Sequence, residues 1–269
     1  MKFSYGVEIE GMALEKDYNK IKEFLHYTDM NYFITGDQSV QVSDDLIDLT
    51  YTLDGQIQDV IPFEIHVGPF TWPNEGADKL SWILFEMATN GALTNDTCAF
   101  HMHIKPHDFE LYSKQAHWAS HLMLAYLIET DRYRRLLYYN NQKMYHHFWA
   151  SVSDMLKEYK SLKKNIKKNS RYFLEKRKTI SNKRGLFHCH PQGTLEWRGI
   201  RGMFDMNPRA YFKRESTTFE ESVSDKWNFA RSIFRDISAA FDPDQAYTDC
   251  KVHYQLLGME RDVLKQNSN

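Results

Sequence analysis

Cysteine is scarce in this chain. The three that occur, Cys98, Cys189 and Cys250, are scattered without Cys-x-x-Cys spacing. This argues against a disulfide framework or a thiolate zinc centre and agrees with a reducing cytoplasm. Long apolar runs are missing as well: nothing approaches the roughly 18 residues needed to cross a bilayer, so no membrane partner is expected. No internal repeat or low-complexity tract stands out. The amino terminus runs straight into a strand pattern without the features of a signal peptide, and the expected location is cytoplasmic. Ser-His-Asp and Cys-His arrangements are also lacking, which turns attention away from a side-chain nucleophile. Net charge is nearly absent, at −2, but it is unevenly distributed. Residues 157–184 hold twelve Lys or Arg against only Glu158 and Glu175, so this segment must face solvent or an anion.

Alternation is abundant. Successive strand side chains point to opposite faces, and four short stretches separate apolar from ionisable residues in this way. SYGVEIEG divides Tyr5, Val7 and Ile9 from Glu8 and Glu10. PFEIHVGP divides Phe63, Ile65 and Val67 from Glu64 and His66. CAFHMHIK divides Cys98, Phe100, Met102 and Ile104 from His101, His103 and Lys105. TLEWRG divides Leu195 and Trp197 from Glu196 and Arg198. If these strands share one sheet, its second face is a carpet of carboxylates, imidazoles and cations. His107, His121, His146, His147, His188 and His190 show no comparable pattern and read as surface or packing residues.

Helical periodicity fills the intervals. Helices are expected over Glu15–Tyr27, Ala77–Asn90, Asp108–Leu137 and Ser151–Lys168, with a last pair over Phe219–Phe241 and Tyr247–Lys265 split by Asp242-Pro243. Loose alternation from Tyr32 to Val42 and from Leu46 to Tyr51 suggests a strand or hairpin region. The fold class is therefore α+β: a mainly antiparallel sheet with helices on one face and chemistry on the other. Residues 1–269 are read as a single domain with a helical insertion at about 108–184, because site residues on both sides of the insertion belong together.

Paired carboxylates at i and i+2 offer oxygen donors to neighbouring cations. With one imidazole among them, the set suits magnesium or manganese better than zinc. Arg198 adds a planar fork for phosphate or carboxylate. Acids, a metal and a nearby arginine suggest phosphoryl transfer from a nucleotide. Two other classes stay open. His101-Met102-His103 resembles the start of a metal-dependent hydrolase motif, although Lys105 stands where its aspartate would be. The basic segment 157–184, with Tyr159, Tyr172 and Phe173 among its cations, could bind nucleic acid from the rim of the site.

The ordered motifs resemble the glutamine synthetase and glutamate–cysteine ligase superfamily, and most closely its small, divergent amidoligase branch. The resemblance runs through GVEIEG, then GDQSV and FEIHVGPF, then CAFHMHI, and finally GTLEWRG. It covers about half the positions between residues 1 and 205. Gly68-Pro69 and Cys98-Ala99 replace dipeptides common in the family, at no loss of a charged ligand. The resemblance implies a curved, funnel-shaped sheet, ATP, and two or three magnesium or manganese ions. It implies that Glu8, His101 and Glu196 surround the metal bridging the nucleotide phosphates and that Glu10 and Glu64 hold a second metal, with Asp37 as an additional acidic member. His103 would sit beside the nucleotide, and Arg198 would contact the transferred phosphoryl group or a substrate carboxylate. Arg184 and Arg201 would be further phosphate contacts. The implied reaction joins a carboxylate substrate to an amine substrate through an acyl phosphate. A small molecule or an anionic macromolecule, either nucleic acid or an acidic polymer, could be the acceptor.

Overall fold

The computed structural model describes residues 2–36, 40, 42, 59–72, 76–95, 97–108, 113–132, 152–168, 187–190, 193–204, 216–242 and 250–259. The described strands are β1 (Phe3–Leu14), β2 (Tyr32–Thr35), β3 (Val60–Trp72), β4 (Ala99–Pro106), β5 (Phe187–His190) and β6 (Thr194–Arg201). The described helices are α1 (Glu15–His26), α2 (Ala77–Thr89), α3 (Ser113–Glu129), α4 (Val152–Lys168), α5 (Ser216–Ala240) and α6 (Lys251–Gly258). The six strands form one open sheet in the order β2-β3-β1-β4-β6-β5. Each neighbouring pair is antiparallel. The class is α+β.

All four alternating stretches enter this sheet, and their apolar sides form one core. Phe3, Tyr5, Val7 and Ile9 of β1 are buried with Phe63, Ile65 and Val67 of β3, Phe100, Met102 and Ile104 of β4, and Leu195 and Trp197 of β6. Helices cover this face. Phe234 of α5 packs on Phe3 and Tyr5, and Trp227 of the same helix meets Phe100 edge to face. Such burial of apolar area is the main stabilising term. α6 is held by Glu129, whose carboxylate accepts the Val252 and His253 N–H groups at 3.0 and 2.9 Å, satisfying helix-terminal donors.

Two irregularities shape the other face. Between Tyr5 and Val7 of β1 the partner β3 carries two residues, Gly68 and Pro69, against the single Gly6. Between Phe100 and Met102 of β4, β6 likewise carries Arg198 and Gly199 against His101. Each extra residue is a bulge, which bends the strand and re-aims neighbouring side chains. Gly68 has φ +123, and a Cβ there would lie 3.0 Å from the Gly6 Cα. Only glycine allows the two backbones to approach this closely.

Several expectations require correction. β5 was not expected: Phe187–His190 extends the sheet beyond the fourth alternating stretch. Cys98 is buried, but not with Phe100. It joins Met12, Leu93 and Val40 in a separate small cluster. The region from Tyr32 forms a strand only as far as Thr35, while 46–51 lies outside the described residues. The helix expected over 108–137 is described over Ser113–Glu129, and residues 109–112 and 133–137 lie outside the described residues. Of the basic segment 157–184, expected at the rim of the site, residues 169–184 lie outside the described residues. Its described part, α4, buries Met155, Leu162 and Ile166 in the core behind the apolar sheet face and leaves Lys157, Lys160, Lys163 and Lys164 exposed there. An amphipathic helix follows its apolar stripe, and that stripe belongs to the core side.

Candidate functional site

Strand register builds the site as a checkerboard. Glu8 on β1 is paired with His66 on β3 on one side and His101 on β4 on the other. Glu196 on β6 is paired with His103 on β4 on one side and His188 on β5 on the other. A row further along, Glu10 is paired with Glu64. Cross-strand neighbours on one face lie about 4.5–5.5 Å apart at Cβ, within reach of each other's polar ends. Each carboxylate of the first two rows therefore stands between imidazoles, and the antiparallel order itself causes the convergence.

The contacts are short. His101 Nδ1 donates to Glu8 Oε2 at 2.8 Å and lies 3.1 Å from Glu196 Oε1 and 4.0 Å from Glu10 Oε1. Arg198 Nη1 donates to Glu196 Oε1 at 2.6 Å. Glu10 Oε2 accepts the Ala99 N–H at 2.7 Å. His66 contacts Glu64 through Nε2, and its Nδ1 lies 3.4 Å from Glu8 Oε1. His103 Nε2 approaches Glu8 Oε2 at 3.4 Å, while its Nδ1 is 3.1 Å from the Thr194 hydroxyl. Glu10, His101 and Glu196 are buried, at 4%, 2% and 2% exposure.

Burial raises the proton affinity of Glu8, but hydrogen bonds from His101 and His103 overcome it and hold the carboxyl well below the usual range. His101 is shifted the other way. Burial opposes its charge, yet the hydrogen bond to Glu8 outweighs this, helped by Glu10 and Glu196 and opposed by Arg198, so the imidazole is raised. His66 is raised first by its hydrogen bond to Glu64, against burial, with the charges of Glu64 and Glu8 adding to it.

Two ligand-like groups emerge. One oxygen or nitrogen from each of Glu8, His101 and Glu196 falls within 4.8 Å of the others, and the same holds for Glu8, Glu64 and His66. Glu8 belongs to both. The first group contains the three residues assigned to the phosphate-bridging metal. The second draws His66 toward Glu64, where the sequence reading had paired Glu64 with Glu10. The donor chemistry fits a divalent cation: carboxylate oxygens predominate, with one imidazole per group, a set suited to magnesium or manganese. The buried carboxylates also supply the negative charge that such an ion would neutralise.

Beside these groups lies a cleft of about 720 Å³. Gly6 and Gly68 contribute backbone to it, Glu8, Glu64 and His66 mark one side, and His103, Lys105 and His190 the other. Phe33, on the edge strand opposite His66, also lines it and is 63% exposed. Asp37, Arg184 and the Arg201 side chain lie outside the described residues, although register pairs the Arg201 backbone with Ala99.

His188 and His190, expected as surface or packing residues, are carried by β5 to the neighbourhood of Glu196 and His103. His188 is buried at the pairing position beside Glu196, and the His190 ring meets that of His103 at 5.1 Å and 82°. A sequence signal was present: Phe187-His188-Cys189-His190 repeats the Phe100-His101-Met102-His103 pattern.

A family model described as putative amidoligase enzyme matches residues 2–206. Its span contains all six described strands. No curated protein and no solved structure matches the chain.

Proposed function

The chain belongs to this amidoligase family, an affiliation pointing to amide-bond formation, and we propose that it is an ATP-dependent ligase. In this reading a substrate carboxylate oxygen attacks the γ-phosphorus of ATP and ADP leaves. An amine then displaces phosphate from the acyl phosphate to form the amide. The observation that carries the proposal is the convergence of Glu8, His101 and Glu196 on one buried spot, with Arg198 bonded to Glu196 and a cleft alongside. We propose that the sheet serves as one wall of a glutamine synthetase-like funnel and that the protein works in the cytoplasm. Cys98 and Cys250 are buried thiols, which suits a reducing compartment.

The chain's own residues account for much of the chemistry. Glu8, His101 and Glu196 would hold one magnesium or manganese ion, and Glu64 and His66 with Glu8 a second. Such ions supply charge neutralisation and alignment for phosphoryl transfer. Glu10 anchors the Ala99 amide and so fixes the strand that carries His101. Arg198 holds Glu196 in place, and its planar guanidinium is the group proposed to contact the transferred phosphoryl group or the substrate carboxylate. His103, fixed by Thr194, borders the cleft in the position assigned to the nucleotide. Gly6 and Gly68 contribute backbone to the wall of the cleft.

Among the described residues no helix is long and apolar enough to cross a membrane. The hydrolase alternative gains no observation of its own, because the imidazoles are interleaved with carboxylates. A polyanionic acceptor docked by α4 is also not favoured, since α4 lies behind the core.

The test is calorimetry with ATP, with and without magnesium or manganese, coupled to ADP release in a screen of carboxylates and amines with mass analysis of products. Binding should require the cation, and the product should gain the mass of an amide. Equal ATP affinity in a chelator would refute the metal-bridged arrangement. Turnover to products other than ADP and an amide would refute ligation.

A further inference from the structure

One hydrogen bond at the edge of the cleft belongs to neither cation group. β1 and β4 are paired as far as Phe3 with Pro106. The pairing is extended by the His107 N–H, which donates to the Lys2 carbonyl at 3.1 Å. The two backbones thereby bring together Ser4 and His107, which stand 103 residues apart in the chain. His107 Nε2 lies 2.7 Å from Ser4 Oγ. No sequence motif marks such a pair, because strand register makes it.

Ser4 alternates with Gly6 and Glu8 on the ionisable face of β1, and all three line the cleft. Four residues of strand separate it from Glu8, a span of about 13 Å. It therefore occupies the end of the cleft away from the cation groups. Lys105 is the register partner of Ser4 on β4 and lines the same cleft. Cross-strand neighbours have Cβ atoms about 4.5–5.5 Å apart, which puts the ammonium within reach of a group carried on Ser4. Ser4 is half-buried and His107 exposed, so a substrate can reach both from solvent.

A serine hydroxyl is a weak nucleophile until a base within hydrogen-bond reach takes its proton. With the ring proton on Nδ1, His107 Nε2 accepts the Ser4 O–H, which is the arrangement this activation needs. Lys105 supplies positive charge beside the place where a carbonyl oxygen would become an oxyanion. We propose that Ser4 and His107 form an acyl-transfer dyad that hydrolyses carboxylic esters without ATP or a cation. Ser4 Oγ bonds to the acyl carbon as its proton passes to His107 Nε2. The bond from that carbon to the alcohol oxygen breaks, and the alcohol leaves with the electron pair and the proton from His107. Water then attacks the acyl-serine and gives a proton to His107, the carbon–Oγ bond breaks, and Ser4 regains its proton as the carboxylic acid departs. This activity goes beyond amide ligation and does not rest on it.

The experiment uses the full chain in a chelator without nucleotide. Its probes are p-nitrophenyl acetate, which reports hydrolysis, and diisopropyl fluorophosphate, whose adduct is located by peptide mass analysis. Wild type should release p-nitrophenolate faster than buffer and carry the adduct on Ser4. Ser4→Ala should lose both. His107→Gln should slow both roughly 10²- to 10⁴-fold, the range a positioned base supplies. Ser4→Cys keeps a nucleophile at the same position, so the ester should acetylate its thiol, and adding His107→Gln should slow that acetylation. Equal hydrolysis by wild type and Ser4→Ala, or an adduct located elsewhere than on Ser4, would overturn the dyad. Acetylation of Ser4→Cys at the same rate with and without His107 would overturn the role of His107 as base.

Discussion

Cation binding at this site should expel protons, and the number follows from the geometry. His101 Nδ1 sits 2.8 Å from Glu8 Oε2 and 3.1 Å from Glu196 Oε1, and its proton affinity is raised. An imidazole can ligate a metal only through a free electron pair, so a protonated His101 must lose its proton first. Below the raised pKa of His101, each ion bound at Glu8, His101 and Glu196 should release one proton, and affinity should rise about tenfold per pH unit, or about 1.4 kcal/mol. Above that pKa the dependence should vanish. If a second ion uses His66, whose affinity is also raised, the release approaches two protons for two ions, and His66→Gln should bring it back to one. Titration calorimetry with manganese in two buffers of different ionisation enthalpy counts the protons directly. The same shifts set the stability of the apo protein. The depressed Glu8 contributes stability that is present above the ordinary glutamate value and lost as pH falls through its lowered one. The raised His101 contributes stability that is present below the ordinary histidine value and lost as pH rises through its raised one. The apo protein should therefore be most stable in mildly acidic solution between those ordinary values, and saturating cation should move the optimum upward. Cation binding with no proton release and the same affinity across the neutral range would refute the arrangement.

Two further outcomes test the frame around the ligands. Arg198→Lys keeps the charge but loses the planar fork that reaches Glu196 while leaving donors for a second anion. If a charge-assisted bond worth roughly 1.5–3 kcal/mol is lost, turnover in the ADP-release assay should fall roughly 10- to 150-fold with little change in Tm, and unchanged efficiency would remove Arg198 from the site. Gly68→Ala places a Cβ 3.0 Å from the Gly6 Cα and 3.1 Å from the Tyr5 carbonyl oxygen at φ +123. A strain of about 1–3 kcal/mol should lower Tm by several degrees in a thermal melt, and an unaltered melt would show that the two strands can separate there without cost.

The fold was legible wherever one periodicity governed a long stretch. β1, β3, β4 and β6 alternate over enough residues that the apolar set could face only one way, and the core contains those apolar residues apart from Cys98. Cys98 precedes β4, and strand alternation does not extend to a residue outside the strand. β5 was missed because four residues, Phe187–His190, are too few for alternation to stand out, and because it follows directly on the lysine-rich segment. The placement of α4 could not be read from charge. Its lysines mark only the solvated side, whereas its neighbours are decided by Met155, Leu162 and Ile166 on the other.

For the site, residue type was readable and partnership was not. A strand sequence shows that Glu8, Glu10, Glu64, His101 and Glu196 share a face, but the choice of partner depends on register, which bulges shift by one residue. At the Gly68-Pro69 bulge β3 carries an additional residue relative to β1. At Arg198-Gly199 the apolar parity of β6 changes, from Leu195 and Trp197 before it to Ile200 after it. That change is why Ile200 pairs with buried Phe100 while Arg198 remains beside Glu196 and His101. Glu64 likewise turns to His66, two positions along its own strand, although Glu10 is its cross-strand pair. Like charges directly opposite repel, and an imidazole on the same face offers a better partner. The chemistry of this face therefore depends on two short irregularities as much as on its ligands. Each is marked in the sequence by a glycine, Gly68 or Gly199, where the backbone departs from regular pairing.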